Sequence, residues 1–501
     1  MDKYNIAVIG SGMGGSACAM VMAKLGYSVL LVEKGSHPRF AIGESATPVM
    51  SRKIRYLGEH YGIPEFDELS TYDRIKESGT RILCGAKELF QYFIHVPGQQ
   101  GISVDGRVPE VIVQTPEVDA QFYRAESDAY VVDLAQRYGA VYLDNTSVDH
   151  LEFADDGVTL TCSRNGTAFD LAADFIIDGT GFRSIIGEKY GLKISGDELD
   201  TPLRSRSIFT HFRDIGDFEQ VLHSDPAFVD RSPAPRARAT QHHCFDGGWV
   251  WVIPFENGVT SVGLNLDMDR FPMNDRDARE EFWDIISRYP IIHNLIRDKE
   301  AVRPYIKTGR LQFLNREIVG DRWAMLPASA YGLDAWFSTG LATSFIAIHR
   351  LAELLHEKVF PQKAFKREVL LDYEAATKKE YFHVAKMIHG IYKSFKHFDV
   401  FQFYCFLCFM GSESYMEKGG IERGMDMEHL LLSAGDEDFV EKFETIYQRV
   451  VEWADQDEVS KADIEALQAF IQHDMQPYNF RNFGDPAMAG MHPRRQACGS
   501  M

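Results

Sequence analysis

Asn5-Ile6-Ala7-Val8-Ile9-Gly10-Ser11-Gly12-Met13-Gly14-Gly15 is the stretch whose reading decides the fold. The apolar run up to Ile9 reads as a strand buried on both faces. An alanine-rich helix follows through Leu25, then a second apolar strand, Ser28 to Val32, that ends at Glu33. This β-turn-α-β setting is what a G-x-G-x-x-G match needs before it means dinucleotide binding. Gly10 permits the tight turn, Gly12 lets a pyrophosphate approach the backbone, and Gly15 allows the helix to pack close to the strand. Met13 and Gly14 open the helix, whose free N–H groups and partial positive charge suit phosphates. Glu33, with Lys34 beside it, is placed to meet a ribose hydroxyl pair.

Working outward, 501 residues exceed what one hydrophobic core usually supports, so two or three substructures are expected. With 45% hydrophobic and 25% charged residues the composition is that of a globular protein. A formal charge of -20 argues against nucleic acid or an anionic membrane as partner. No apolar run reaches the roughly 20 residues of a membrane helix, and the N-terminus lacks the basic region of a signal peptide. Seven scattered cysteines do not suggest a disulfide framework, so a cytoplasmic location is expected. Cys405 and Cys408 form a lone C-x-x-C and read as packing residues. No metal-ligand spacing stands out, and no metal is expected.

Later segments point to FAD. Phe175-Ile176-Ile177-Asp178-Gly179-Thr180-Gly181 resembles the second nucleotide-contacting strand and turn of the p-hydroxybenzoate hydroxylase-like flavoproteins. Arg124, with Asp128 one helical turn on, resembles their flavin-contacting arginine helix. Trp323 through Gly340-Leu341 resembles the segment that reaches the ribityl chain and the isoalloxazine. Here the chain departs from the group: the usual Gly-Asp-Ala falls on Pro327-Ala328-Ser329, and Asp334 is the candidate replacement for the missing acid. Alternating stretches at 88–96, 158–162, 206–212 and 259–266 read as strands, several of them in a second, mainly antiparallel sheet. The resemblance therefore implies an α/β fold with a Rossmann-type parallel sheet, an antiparallel substrate sheet and a C-terminal helical domain. The expected divisions are a core over 1–345, with the substrate sheet at roughly 80–120 and 200–310, a helical region over 346–485, and a disordered tail over 486–501.

Gly248-Trp249-Val250-Trp251-Val252-Ile253-Pro254 narrows the chemistry. Indoles at i and i+2 share one face of a strand and make a rigid wall. The run Trp249, Trp251, Ile253, Pro254 resembles the signature of the flavin-dependent halogenases, where the wall parts flavin from substrate. His37-Pro38-Arg39-Phe40 and Gly43-Glu44-Ser45-Ala46-Thr47-Pro48 resemble their mobile strap between flavin and halide sites, which puts Arg39, Gly43, Glu44 and Ser45 at the cofactor. The resemblance makes Lys87 the lysine that carries the oxidant to substrate, and the Thr339 and Gly340 amides the halide cradle.

The implied reaction takes reduced FAD from a separate NAD(P)H flavin reductase, O2, and chloride or bromide. Hypohalous acid formed near Thr339 travels to Lys87 and is directed onto an electron-rich ring. In halogenases of free tryptophan a glutamate precedes Ser-Thr-Gly; here Phe337 stands there, so the ring must supply its own activation, as a resorcinol or phloroglucinol does. The chain thus resembles the phenol-type branch, of the phloroglucinol halogenase kind, in secondary-metabolite or antibiotic biosynthesis. Phe337, His389 and Phe395 are the candidate pocket residues, within an aromatic region whose other members read as core. The alternatives are an aromatic hydroxylase or isoprenoid reductase on the same fold, a halogenase of a carrier-protein-tethered substrate, and an inactive flavin-binding module. Oligomeric state stays open, a homodimer included.

Overall fold

The computed structural model describes residues 2–104, 106–226, 228–485 and 491–492. Its first sheet is centred on Lys3–Ile9, which is paired in parallel by Val29–Val32 on one side and Thr167–Asp178 on the other. The register sets Ile9 against both Val32 and Asp178, so the ends of these three strands lie side by side. Gly10, Glu33 and Gly179 follow directly, and a cleft opens at this edge, as it does in doubly wound sheets. Val141–Leu143 and Trp323–Met325 extend the parallel sheet outward. Thr167–Asp178 is long enough to serve two partners: its early residues pair antiparallel with Gly157–Arg164, and its later ones reach Lys3–Ile9. The strand expected at 158–162 therefore joins the first sheet.

The second sheet runs in the order Ile306–Arg310, Ser205–Arg213, Val259–Asp267, Gly248–Pro254, Ala239–Phe245, Cys84–Ile94, Glu110–Phe122, Met491–His492. Its joints are antiparallel except between Ala239–Phe245 and Cys84–Ile94, and between Met491–His492 and Glu110–Phe122. Trp251 faces Gly263 across its ladder. A Cβ on Gly263 would stand 2.1 Å from the Trp251 ring, so the indole lies over a bare backbone. The tail expected over 486–501 lies outside the described residues, apart from Met491–His492, which pair with Ile112 and Val113.

The C-terminal third is helical, with Thr339–Glu353, Leu371–Ser394, Phe398–Glu417, Glu437–Trp453 and Lys461–Ala469 as its main helices. Phe398–Glu417 is apolar around most of its circumference and is buried accordingly. Thr339–Glu353 runs through the expected 345/346 division and packs on the first helix, Met13–Lys24, so closely that a Cβ on Gly14 would stand 3.3 Å from Ser344. One continuous core takes in Ile6, Trp249, Phe345 and Phe401, so the nucleotide-binding sheet, the tryptophan wall and the helices are packed as a unit. Among the described residues no helix is long and apolar enough to cross a membrane.

Candidate active site

The cleft beyond the parallel sheet is lined by Gly10, Glu33, Lys34, Arg39, Thr180 and Arg183 among others. Gly10 (φ +100°) and Gly15 have no room for a side chain: a Cβ on Gly15 would lie 2.0 Å from the Gly10 carbonyl oxygen. Gly12 differs. Nothing stands closer than 3.9 Å to its Cβ position, where Arg39 and Asp128 face it, so a bulky group can approach the backbone there. The helix Met13–Lys24 starts with no side-chain cap and no acid in its first turn, which leaves its N–H groups and dipole available to an anion. Glu33 Oε2 accepts from Ser11 N and Oγ, both at 3.0 Å, and pairs with Arg39 at 3.2 Å. Burial alone would raise the Glu33 carboxyl, but hydrogen bonds from the Gly35 and Ser11 amides and the Arg39 charge outweigh it and hold it below its ordinary value. An ionised carboxylate acceptor, a bare turn and open amide donors are what a dinucleotide requires, so the residues present fit FAD.

Other expected cofactor residues are placed more indirectly. Asp178 is buried, and its oxygens accept from Thr180 N, Thr180 Oγ1 and Ile186 N, so it orders the turn behind the cleft. Gly181 (φ +68°) donates its amide to Ser329 Oγ, which ties that turn to the segment 327–330. Ala328 is exposed at the position of the missing acid. Asp334 does not replace it: it is buried and accepts from Ser205 Oγ (2.6 Å), Tyr392 Oη (2.9 Å) and the Trp336 amide (3.0 Å). Burial raises the Asp334 carboxyl, against the pull of these hydrogen bonds.

The strap is fastened from two sides. Arg124 grips Asp128 through two nitrogens and donates from a third to the Ile42 and Gly43 carbonyls. Glu44, also buried, takes the Nε2–H of His211 at 2.8 Å, because His211 Nδ1 is occupied as acceptor by Arg303 Nε at 3.1 Å. The sequence reading missed His211 and Arg303; they lie far along the chain, on the second sheet and its edge, with no motif around them.

Both indoles are buried on one face of Gly248–Pro254, with centroids 6.0 Å apart. Trp249 donates to Tyr392 Oη at 3.1 Å and Trp251 to Ser261 Oγ at 3.0 Å. Trp336 meets Trp249 edge-on at 5.0 Å. Ile253 is buried beside them, and the Pro254 carbonyl packs against bare Gly85, two residues before Lys87.

Lys87 is completely buried. Its Nζ donates to Ser45 Oγ (2.9 Å) and the Ala46 carbonyl (2.8 Å) and sits 3.7 Å from the centre of the Phe90 ring. Burial pushes its pKa down, to about 7, although Asp119 opposes the shift. Phe90 is one wall of a cavity that also takes in Thr47, Pro48, Val113, Phe337, Thr339 and Phe409. Lys87 itself does not line that cavity; it stands behind Phe90. Thr339 and Gly340 begin their helix after Ser338 in a left-handed turn (φ 52°), and Gly340 is exposed with open space at its Cβ position. Leu341, next in the helix, is buried beneath them.

Of the three expected pocket residues only Phe337 lines the cavity. Phe395 packs at a tilt against Trp336, with centroids 5.3 Å apart, and His389 bonds Tyr447 Oη at 2.9 Å between two helices. Both were read from aromatic density, which does not distinguish lining from filling. Cys408 lines the cavity, while Cys405 packs beside it; burial pushes both thiols up. Elsewhere His60, His349 and Glu353 bring one ligand atom each within 4.8 Å, but Lys53 Nζ lies 2.7 Å from His349 Nδ1, and its charge opposes a cation there.

The two sheets, cleft and cavity define a two-sheet FAD-binding fold with a helical C-terminal region. The profile of the tryptophan halogenase family matches residues 112–402, and that of an NAD(P)-binding Rossmann-like domain matches 8–55. The chain belongs to the tryptophan halogenase family. It is 31% identical to the tetracycline 7-halogenase of Kitasatospora aureofaciens over 72% of this chain and 66% of that protein. It is 33% identical to the monodechloroaminopyrrolnitrin halogenase PrnC of Pseudomonas fluorescens over 71% and 62%. The match thus spans about two thirds of these curated relatives' length. The crystal structure of halogenase PltM superposes with a TM-score of 0.87 at 25% identity, over 96% of this chain and 98% of that one. PltM in complex with phloroglucinol and FAD gives 0.85.

Proposed function

We propose that the protein is a two-component, FAD-dependent halogenase of electron-rich phenolic rings, acting in the cytoplasm beside a separate flavin reductase. FAD, bound and reduced, supplies the chemistry that turns O2 and chloride or bromide into hypohalous acid. The chain's part begins with holding it: the amides at the Met13 helix take the pyrophosphate, ionised Glu33 takes the ribose, and Lys34 and Arg39 flank the cleft. Arg124 and His211 fix the strap that joins this cleft to Lys87. The Thr339 and Gly340 amides, at the positive end of a helix of 15 residues, hold the halide. Trp249 and Trp251 keep the ring off the flavin, so oxygen is not transferred by contact.

Lys87 Nζ then holds the oxidant by an N–H donor. A low pKa lets it exist partly as an amine, and Phe90 forms the boundary across which the halogen reaches the ring. With Phe337 in place of an acid, the ring's own hydroxyl stabilises the cationic intermediate and releases its proton.

The reading is carried by one observation: Lys87 Nζ is buried against Ser45 and Ala46 of the strap and against Phe90, which lines the same cavity as Thr339. A structural lysine would more cheaply be a methionine at this depth. The test is incubation with FAD, NADH, a flavin reductase and bromide against a panel of free phenols, read by mass spectrometry for the bromine isotope doublet. Products that gain one oxygen and no halogen, made without dependence on halide, would overturn it in favour of a hydroxylase.

A further inference from the structure

We propose that Met416 is an oxidation site built into the cavity: when no substrate ring is present, its thioether takes the halogen delivered there and becomes a methionine sulfoxide. The delivery of halogen to this cavity rests on the halogenase reading; the placing of the sulfur does not.

Cys408, Ser412 and Met416 follow one another a helical turn apart along Phe398–Glu417, and all three line the cavity. The helix carries a second sulfur of each kind, Cys405 and Met410, which are buried as well but do not line the cavity. Met416 is 5% exposed, so an oxidant in bulk solvent hardly reaches it. From inside, the relation is reversed. The same cavity takes in Thr339, at the proposed halide site, and Phe90, whose ring carries the Lys87 ammonium 3.7 Å from its centre. A halogen that passes Phe90 into an empty cavity therefore meets a wall that includes two sulfur atoms.

Among the described residues that line the cavity, Tyr92, Cys408 and Met416 carry the groups best able to accept an electrophilic halogen. Burial pushes the Tyr92 phenol and the Cys408 thiol well up, so both stay protonated, and it is the anion of each that reacts fast. A thioether has no proton to lose, so burial leaves its polarisable lone pair as reactive as before. The Met416 sulfur attacks the halogen of hypohalous acid; the halogen–oxygen bond breaks and hydroxide leaves. Water then adds at sulfur, halide departs and two protons are released, which leaves the sulfoxide. Sulfur has given up two electrons and the halogen has gained them. Leucine would fill the same space at little cost in stability, so packing alone does not call for sulfur here. A sulfoxide can also be reduced back by methionine sulfoxide reductases, whereas a halogenated Tyr92 ring would stay in the wall.

The test runs the FAD-loaded protein with a flavin reductase, NADH, catalase and bromide but no phenol, and locates added oxygen by peptide mass spectrometry. Met416 is expected to oxidise about tenfold faster than Met273 and Met427, which are 45% and 39% exposed, because the oxidant is released beside it. Hypobromite added from solution, without NADH, should reverse that order, since exposure then decides. Met410 should stay unoxidised in turnover, and resorcinol added as a competing ring should protect Met416. Oxidation of Met416 at the same rate without bromide overturns the proposal, as does oxidation of Met273 and Met427 ahead of it during turnover. If resorcinol is brominated but Met416 stays intact in the phenol-free reaction, the proposal falls and the halogenase reading stands. If neither brominated resorcinol nor bromide-dependent oxidation appears, both fall.

Discussion

Trp249 donates its indole N–H to Tyr392 Oη at 3.1 Å, across 143 residues of sequence. Tyr392 in turn donates its O–H to Asp334, which also accepts from Ser205 Oγ. The wall is therefore held at its back by the helical region, and its orientation is a tertiary property.

Tyr392→Phe removes the link while keeping the ring. It should cost about 1–2 kcal/mol in urea unfolding, the price of a buried hydrogen bond that leaves Trp249 and Asp334 each short of a partner. Asp334→Ala should cost more, about 3 kcal/mol, because several donors lose their acceptor together. Equal, negligible losses in both would show that the network does not hold the wall.

Gly12→Ala and Gly15→Ala separate cofactor binding from folding. A Cβ at Gly12 meets nothing closer than Arg39 and Asp128 at 3.9 Å, whereas one at Gly15 strikes the Gly10 carbonyl at 2.0 Å. The first variant should melt like the wild type yet bind FAD more weakly by about tenfold or more, since the phosphate loses its approach. The second should be destabilised by roughly 2 kcal/mol or more through backbone clash. Calorimetric melting and FAD titration read the two effects apart.

Lys87→Ala should bind FAD normally and form no halogenated phenol. Normal turnover would refute the relay.

Burial of Lys87 also carries a pH signature. Its folded-state pKa, about 7, lies below its ordinary 10.5. Between these values the unfolded chain holds more protons, so stability rises with pH across that window, and the cost of the buried charge is fully present below it. Lys87→Met should therefore be more stable than the wild type at pH 6, by on the order of 2 kcal/mol. The difference should shrink by pH 10, measured by urea unfolding at both; a constant gap would contradict a buried, charge-penalised lysine.

Phe337→Glu places a carboxylate in an apolar wall of the cavity. It should lower kcat/KM for a phenol about tenfold, as the desolvated charge repels an electron-rich ring. Faster turnover by this variant would defeat the view that the substrate activates itself.

The nucleotide-binding half was legible because its constraints are local. Gly10, Gly12, Gly15 and Glu33 lie within one strand-turn-helix-strand, where each glycine answers to a backbone contact a few residues away. The wall residues Trp249 and Trp251 were legible for the same reason, since strand periodicity alone sets them on one face. Asp334 was misread: as a polar residue near a flavin-like segment it looked available, and only burial against Ser205 and Tyr392 shows that it is spent. His389 and Phe395 were misplaced because aromatic density marks a core without saying which side chains face a cavity.

From the sequence alone came the class of cofactor fold, the strand carrying the indoles, the lysine at position 87 and the helix that starts at Thr339. Folding decided what those pieces do to one another: that Lys87 is buried behind Phe90, that His211 fastens the strap, and that Thr339 and Met416 share one cavity. The difference is physical. Motifs record contacts between near neighbours, which backbone geometry fixes. Burial, pKa and cavity shape depend on side chains brought together from segments hundreds of residues apart, and no local pattern encodes that meeting.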